Sequence, residues 1–289
     1  MDMTNRRPVP GPLSAATTVV GVIGDPVAHS LSPLLHNTAF AVMGLDWVSV
    51  GFPVGVGRAG QALSGATALG VRGLSVTMPH KDAAASLVQS LSPLAELLGA
   101  VNCVVERDGG WHGENTDGPG FVAALRHTGA FDPEGRRCLV VGAGGAARAV
   151  VAGLAGAGAA EVVVVNRSAD RAATAAGAAG PAGRVGEESD AATAELVVNA
   201  TPLGMGPTAA GTGDWPVRPD LLHPGQVVVD LVYHPLVTPW MAAARDRGAL
   251  VANGLGMLVH QAALQLALWT GRDVPVQAMW EAAQTPGPP

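Results

Sequence analysis

Aromatic residues, lysine and cysteine are all scarce in this sequence, and each scarcity narrows what the chain can be. Phe, Trp and Tyr together make up 4% of the residues, while 48% are hydrophobic. Packing therefore falls to Ala, Val, Leu and Gly, a mix that suits parallel strands covered on both faces by helices. The two cysteines, Cys103 and Cys138, sit in strand-like apolar runs without metal-ligand spacing. That argues against a disulfide framework or a thiolate metal site, and for two buried free thiols in a reducing compartment. Basic charge is short as well. A net charge of −6 speaks against a nucleic-acid partner, which needs a clustered basic surface. No charge-free apolar run is long enough to cross a membrane, because Arg148 and Glu161 interrupt the best candidate. Arg6-Arg7 is followed by Pro8, Pro10, Gly11 and Pro12 rather than by the apolar stretch of an export signal. The expectation is a cytoplasmic protein with a disordered tail over residues 1-17.

The shortage of lysine is the most pointed. Of 17 Lys and Arg residues only Lys81 is lysine, and Tyr233 is the single tyrosine. Where either cation would serve, this chain uses arginine. A lone lysine then marks a position whose work arginine cannot do, since an ammonium can give up a proton and a guanidinium stays charged. Chance would leave the same single residue, so its surroundings have to decide.

What is present is an alternation of strand and helix patterns. Strands are predicted over Val19–Ile23, Trp47–Phe52 and Gly73–Val76, and helices from Ser32 to about Met43 and over Gly60–Leu69. In the first helix Ser32 reads as N-cap and Pro33 as first helical residue. Helical periodicity runs through Leu87–Leu98, and Val101–Glu106 with Trp111–Gly113 reads as a hairpin about Asp108-Gly109-Gly110. A helix from Gly118 to Thr128 leads to a second series: strand Arg137–Val141, helix Ala146–Gly156, strand Glu161–Val165, and strands at Leu196–Asn199 and Val227–Leu231. Residues 169–183 are rich in Ala and Gly and carry little pattern. Leu255–Thr270 is a strongly apolar helix, with a helical tail near Ala278–Ala283. The length suits two domains, and the alternation predicts an α/β fold with mainly parallel sheets.

Within the second series, Gly142-Ala143-Gly144-Gly145-Ala146-Ala147 follows a strand and opens a helix. This fits G-x-G-x-x-G/A: a first glycine for the tight turn, a second for close approach to a pyrophosphate, and a small third residue for helix–strand packing. One such match among 39 glycines would be weak; the strand before it and the helix after it give it weight. The next strand ends in Asn166-Arg167-Ser168, with Arg171 a turn later. A NAD site would place an acid there for the ribose hydroxyl. Two guanidinium groups instead favour the 2′-phosphate of NADP, through bidentate hydrogen bonds. Two solvated arginines at a helix start would be the plainer alternative.

Four polar clusters lie outside that series: His29-Ser30-Leu31-Ser32-Pro33; Ser75-Val76-Thr77-Met78-Pro79-His80-Lys81; Asn102; and Asn115-Thr116-Asp117-Gly118. Each follows or ends a predicted strand, where open α/β sheets bind ligands. Paired hydroxyls suit a carboxylate, and a Lys with an Asp suits proton transfer. Taken singly, Ser32 also fits a cap, Asn115–Gly118 a turn, and Lys81 a surface cation.

Together with Asn199-Ala200-Thr201-Pro202-Leu203-Gly204-Met205, Asp230-Leu231-Val232-Tyr233 and Gly254-Leu255-Gly256-Met257-Leu258-Val259-His260-Gln261, these motifs resemble the shikimate dehydrogenase family from about Val19 to Gly271. The resemblance implies a substrate-binding catalytic domain over 18-117, a Rossmann NADP-binding domain over 118-253, and C-terminal helices over 254-289 that pack on the first domain. It implies reversible NADP(H)-dependent reduction of 3-dehydroshikimate to shikimate by a monomer or homodimer. Lys81 and Asp117 would be the catalytic pair. Ser30 and Ser32 would bind the ring carboxylate, with Tyr233 near it, and Thr77, Asn102, Asp117 and Gln261 the ring hydroxyls. Cofactor contacts would come from Gly142, Ala143, Gly144, Gly145, Ala146, Asn166, Arg167, Ser168, Arg171, Thr201, Met205 and Gly254. The chain departs from the family at Ser75, where Asn is common, at His234 after the tyrosine, and at Asn253, where Asp is common. Relatives acting on quinate or an amino-substituted analogue often carry Thr at the position of Ser32, and NAD users an acid near Arg167. A non-catalytic ligand-binding regulator of the same fold would be expected to have lost Lys81 or Asp117. A Rossmann oxidoreductase for some other ketone would leave the serine pair and the Lys/Asp pair unexplained.

Overall fold

Valine runs bounded by Gly, Pro and Asn form the strands of both halves of this chain, as β-branched side chains do on a pleated surface. The computed structural model describes residues 12–205 and 214–284. The chain divides into two units: one holds the chain up to Thr116 together with the stretch from Val259 onward, the other Asp117–Leu258.

In the first unit the elements run β1 (Thr18–Gly24), α1 (Ser32–Val42), β2 (Trp47–Pro53), α2 (Ala59–Ala68), β3 (Gly73–Val76), α3 (Lys81–Ala85), β4 (Ser90–Leu91), α4 (Pro93–Leu98), β5 (Cys103–Arg107) and β6 (Gly110–Glu114). The sheet order is β2-β1-β3-β5-β6-β4. β1 is parallel to β2 and β3, and β5 is antiparallel to β3 and β6. Ile23, Leu63, Leu74, Val76, Val104 and Trp111 share its core. The last part of α9 (Leu255–Thr270) and α10 (Val276–Gln284) complete this unit, and the Trp269 indole donates to the Val104 carbonyl at 3.1 Å.

Three sequence expectations need correction here. Leu87–Leu98 is not one helix: Ser90 and Leu91 pair with His112 and Gly113, and the helix begins only at Pro93, where the Ser92 hydroxyl accepts the Ala95 N–H. Periodicity does not register a two-residue strand whose partner lies some twenty residues away. Ser32 is not the N-cap of α1. Leu31 holds that place without a side-chain cap, and Ser32 is the first helical residue. The expected tail over residues 1-17 falls outside the described residues up to position 11. From Ser14 to Thr17 the chain forms a turn, in which the Thr17 hydroxyl donates to Asp46 at 2.8 Å.

The second unit runs α5 (Asp117–His127), β7 (Arg137–Val141), α6 (Gly145–Gly156), β8 (Glu161–Val165), α7 (Ala169–Gly177), β9 (Gly183–Val185), β10 (Leu196–Asn199), β11 (Val227–Asp230), α8 (Pro239–Asp246) and β12 (Leu250–Asn253). Its sheet is parallel throughout, in the order β12-β11-β10-β7-β8-β9. Counted within the unit this is 6-5-4-1-2-3, the doubly wound order of dinucleotide-binding folds, with its switch point between β7 and β10. Alternate residues of each strand feed the cores on the two faces. Val140, Val162 and Val198 pack with Val150 and Leu154, whereas Leu139, Val163 and Val197 pack with Trp240. The α/β architecture with mainly parallel sheets is therefore as expected.

Candidate active site and nucleotide cavity

The turn after β7 is the first constraint on the second unit's site. Gly142 has φ of +117°, and a Cβ there would lie 2.9 Å from the Ala200 carbonyl oxygen. Only glycine suits both the backbone and the space. Gly144 is the N-cap of α6 in extended conformation, so the orphan N–H groups of the helix's first turn open at the sheet's switch point. Ala147 is fully buried, as the small third residue of the motif should be. Beside this turn is a cavity of about 790 Å³, lined by Gly142, Ala143, Gly144, Asn166, Arg167, Arg171 and Thr201 among others.

Local hydrogen bonds present the two arginines. The Asn166 amide donates to the Ser168 carbonyl at 3.0 Å, and the Ser168 hydroxyl caps α7 by accepting the Arg171 N–H. β8 ends at Val165, and Asn166 follows it with no acid, so Arg167 and Arg171 make the wall of the cavity there cationic. The Thr201 hydroxyl donates to Asn199 Oδ1 at 2.6 Å. Asn199 in turn donates to the buried Asp230 carboxyl, which also accepts from the Thr238 hydroxyl at 2.7 Å; burial raises the pKa of that carboxyl. This network ties the ends of β10 and β11 to the start of α8. Gly145, Ala146, Ser168, Met205 and Gly254 do not line the cavity. Gly145 and Ala146 form the first turn of α6, and Met205 is exposed. Gly254 is packed so closely on the Leu231 carbonyl that a Cβ would collide with it. Tyr233 lies half-buried after β11, and burial raises the pKa of its phenol.

Sequence reasoning missed several residues of the far wall: Glu188, Asp214, Trp215 and Arg218. Glu188 opens a short 3₁₀ helix and the others lie in irregular segments, with no periodic signal in either. Position is imposed from elsewhere, by the buried Val217 and by the Trp240 indole donating to the Val217 carbonyl at 2.9 Å.

In the first unit the predicted polar residues follow β1 and β3 or precede β5, the interior strands of the sheet. The Ser30 hydroxyl accepts the Ser32 N–H at 3.3 Å, and Ser32 is buried at the start of α1. Thr77 follows β3, with its N–H on the Ile23 carbonyl at 2.9 Å. Lys81 opens α3, and its carbonyl accepts the Val101 N–H at 2.9 Å. The preceding His80 is buried, its Nε2 2.6 Å from the Val54 carbonyl, so the chain entering α3 is fixed on both sides. Asn102 bridges β3 and the next segment. Its carbonyl accepts the Val76 N–H at 2.8 Å, and its side chain meets Thr116 at 2.7 and 3.0 Å. The Thr116 hydroxyl donates to the Gln261 carbonyl at 3.1 Å, and Gln265 donates to Gln261 Oε1 at 2.8 Å. Asn102 and Gln261 are thus brought together through Thr116 and Gln265. Asp117, buried at the start of α5, follows Thr116 directly but belongs to the second unit. Among the described residues no group of three His, Cys, Asp or Glu could hold a metal ion.

Comparison with known proteins agrees with this geometry. Three family models match: the shikimate dehydrogenase substrate binding domain over residues 22–104, shikimate / quinate 5-dehydrogenase over 124–196, and the shikimate 5′-dehydrogenase C-terminal domain over 254–284. Shikimate dehydrogenase (NADP(+)) of Moorella thermoacetica is 46% identical over 277 residues, covering 92% of each chain. The structure of shikimate 5-dehydrogenase from Thermus thermophilus in complex with NADP(H) and shikimate superposes with a TM-score of 0.85. It is 37% identical and covers 92% of this chain and 98% of that one. The ligand-free 5-ketofructose reductase of a Gluconobacter strain superposes with a TM-score of 0.84 at 30% identity, covering 94% and 99%.

Proposed function

The chain belongs to the shikimate dehydrogenase family, and from that premise we propose that it catalyses the reversible NADP(H)-dependent reduction of 3-dehydroshikimate to shikimate, a step toward chorismate and the aromatic amino acids. The observation that carries this proposal is the second unit's cavity, where the glycine turn at the switch point faces Arg167 and Arg171. The residues fit the cofactor. Backbone at Gly142–Gly144 and the start of α6 would take the pyrophosphate, and the two guanidinium groups the 2′-phosphate. The likeness to a 5-ketofructose reductase means that this fold is not confined to one ketone, so the substrate has to be argued from side chains rather than from architecture.

Bound NADPH supplies a hydride to the ketone carbon. The protein's part is then to orient the ring and provide a proton. Ser30 and Ser32 receive the carboxylate, Thr77, Asn102 and Gln261 hold the hydroxyls, and Tyr233 is a further proposed substrate contact. As charge develops on the ketone oxygen, the Lys81 ammonium stabilises it and donates the proton that completes the alcohol. Asp117 is the second member of the proposed catalytic pair and accepts from a ring hydroxyl. We further propose a cytoplasmic enzyme, monomeric or homodimeric, with no nucleic-acid partner; no helix among the described residues is long and apolar enough to cross a membrane.

The test is a set of initial rates, followed by nicotinamide absorbance, with shikimate and quinate each offered NADP and NAD. Turnover confined to shikimate with NADP is expected. Preference for quinate or NAD would overturn the specificity argued from Ser32 and Arg167. Arg167→Ala should raise the KM for NADPH far more than that for NADH, and equal effects would remove the phosphate role.

A further inference from the structure

We infer that Gln265 is a positioning residue that fixes which end of the Gln261 amide faces the ligand, an inference that rests on the reading of Gln261 as a substrate contact. The two glutamines stand four residues apart on α9, hence on one face of the helix. Gln265 is 0% exposed, among buried Ala262, Ala263 and Leu266. A polar amide in such a place costs stability unless its hydrogen bonds are made, and an aliphatic side chain would fill the space more cheaply.

Its contacts set a direction. The Gln265 amide nitrogen lies 3.2 Å from the Asn102 carbonyl, 3.4 Å from the Thr116 hydroxyl and 2.8 Å from Gln261 Oε1. A main-chain carbonyl can only accept, so the nitrogen of Gln265, and not its oxygen, must face Asn102. An amide nitrogen can only donate, so Gln261 must present its oxygen to Gln265 and carry its NH₂ on the opposite side. The Asn102 carbonyl is itself held by the N–H of Val76, the last residue of β3. Orientation therefore passes from the sheet through Asn102 and Gln265 to Gln261, whose backbone carbonyl is held separately by Thr116. The arrangement leaves the Gln265 oxygen buried without a hydrogen-bond partner among the described residues. That orphan is a cost a purely space-filling residue would not carry. Gln261 is thereby kept a donor toward a ring hydroxyl that accepts from it.

A double-mutant cycle tests this on the full-length enzyme. Gln265→Met keeps the volume and removes both the donor and the orphan oxygen. It is expected to raise the KM for shikimate about three- to tenfold, the loss of one neutral hydrogen bond, with the KM for NADP unchanged. In a Gln261→Ala background the same change should add less than about twofold, because its route to the substrate is gone. Gln265→Leu repeats the test should the Met variant fold poorly. Equal effects of Gln265→Met in both backgrounds, or none in the presence of Gln261, would overturn the positioning role while leaving Gln261 a ligand. A normal KM in Gln261→Ala alone would remove Gln261 from the substrate site, and the proposal with it.

Discussion

Lys81 shows how far a single residue can be read before its neighbours are known. Its rarity and its place after a strand are visible in the sequence, and the structure adds why its backbone is steady: it opens α3 beside the buried His80, with its carbonyl bonded to Val101. Replacing Lys81 with Met should lower kcat by roughly 10²–10⁴-fold if it gives the proton, with an unchanged circular dichroism spectrum. A near-normal kcat would assign the proton elsewhere. Residues whose meaning lies across the chain are not legible in the same way. Gln265 reads as one polar position in an apolar helix; its partner Asn102 is 163 residues away. Arg218 and Trp215 carry no pattern at all. Ser32 misleads in the other direction: serine before proline suggests a cap, yet the hydroxyl sits on the first helical residue, where capping is not its task.

Among the elements, local chemistry decides what can be foreseen. The β7–Gly142–α6 turn needs only contiguous residues, and it forms as read. Gly142→Ala would hold alanine at a φ of +117° with its Cβ 2.9 Å from the Ala200 carbonyl. The cost is about 1–3 kcal/mol for the backbone alone, so a lower Tm and a weakened or lost NADPH titration are expected. Unaltered cofactor affinity would show that this turn does not carry the pyrophosphate. β9 and β12 give no signal of their own, because such short strands are specified by their partners, Val162–Val164 for the one and β11 for the other. The stretch that forms α7 does place Ala172, Ala175 and Ala176 at helical spacing on its buried face, but alanine on the other face as well blurs that stripe in the sequence.

At the scale of the whole molecule, acid should weaken the fold through its surface ion pairs. In the second unit the carboxyl of Glu161 is held below its ordinary range first by the Arg184 guanidinium, Asp190 likewise by Arg184, and Glu195 by the Arg137 backbone N–H and then Arg136. Folded pKa values that are depressed contribute stability above the unfolded carboxylate range, about pH 4, and lose it as pH falls through the folded values. Asp230 has the opposite sign, since burial raises it; its contribution favours the acid side and opposes the loss. The surface groups are screened, so the net effect is modest. Tm should fall as pH drops from about 5 toward 3, and Arg184→Ala should flatten that fall by releasing Glu161 and Asp190 together. An unchanged slope in the variant would mean that this cluster contributes nothing.

Neighbouring residues were enough to specify the α/β class, the longer strands, the glycine turn and the two arginines that follow β8. Burial periodicity, backbone freedom and charge at a strand end are all local properties, so they can be read without a partner. The sheet order 6-5-4-1-2-3, the return of the chain to the first unit inside α9, and the hydrogen-bonded line from Val76 through Asn102 and Gln265 to Gln261 emerged with the folded chain alone. Those depend on which distant groups meet when apolar faces close. A buried amide declares its direction only once the carbonyl opposite it is in place.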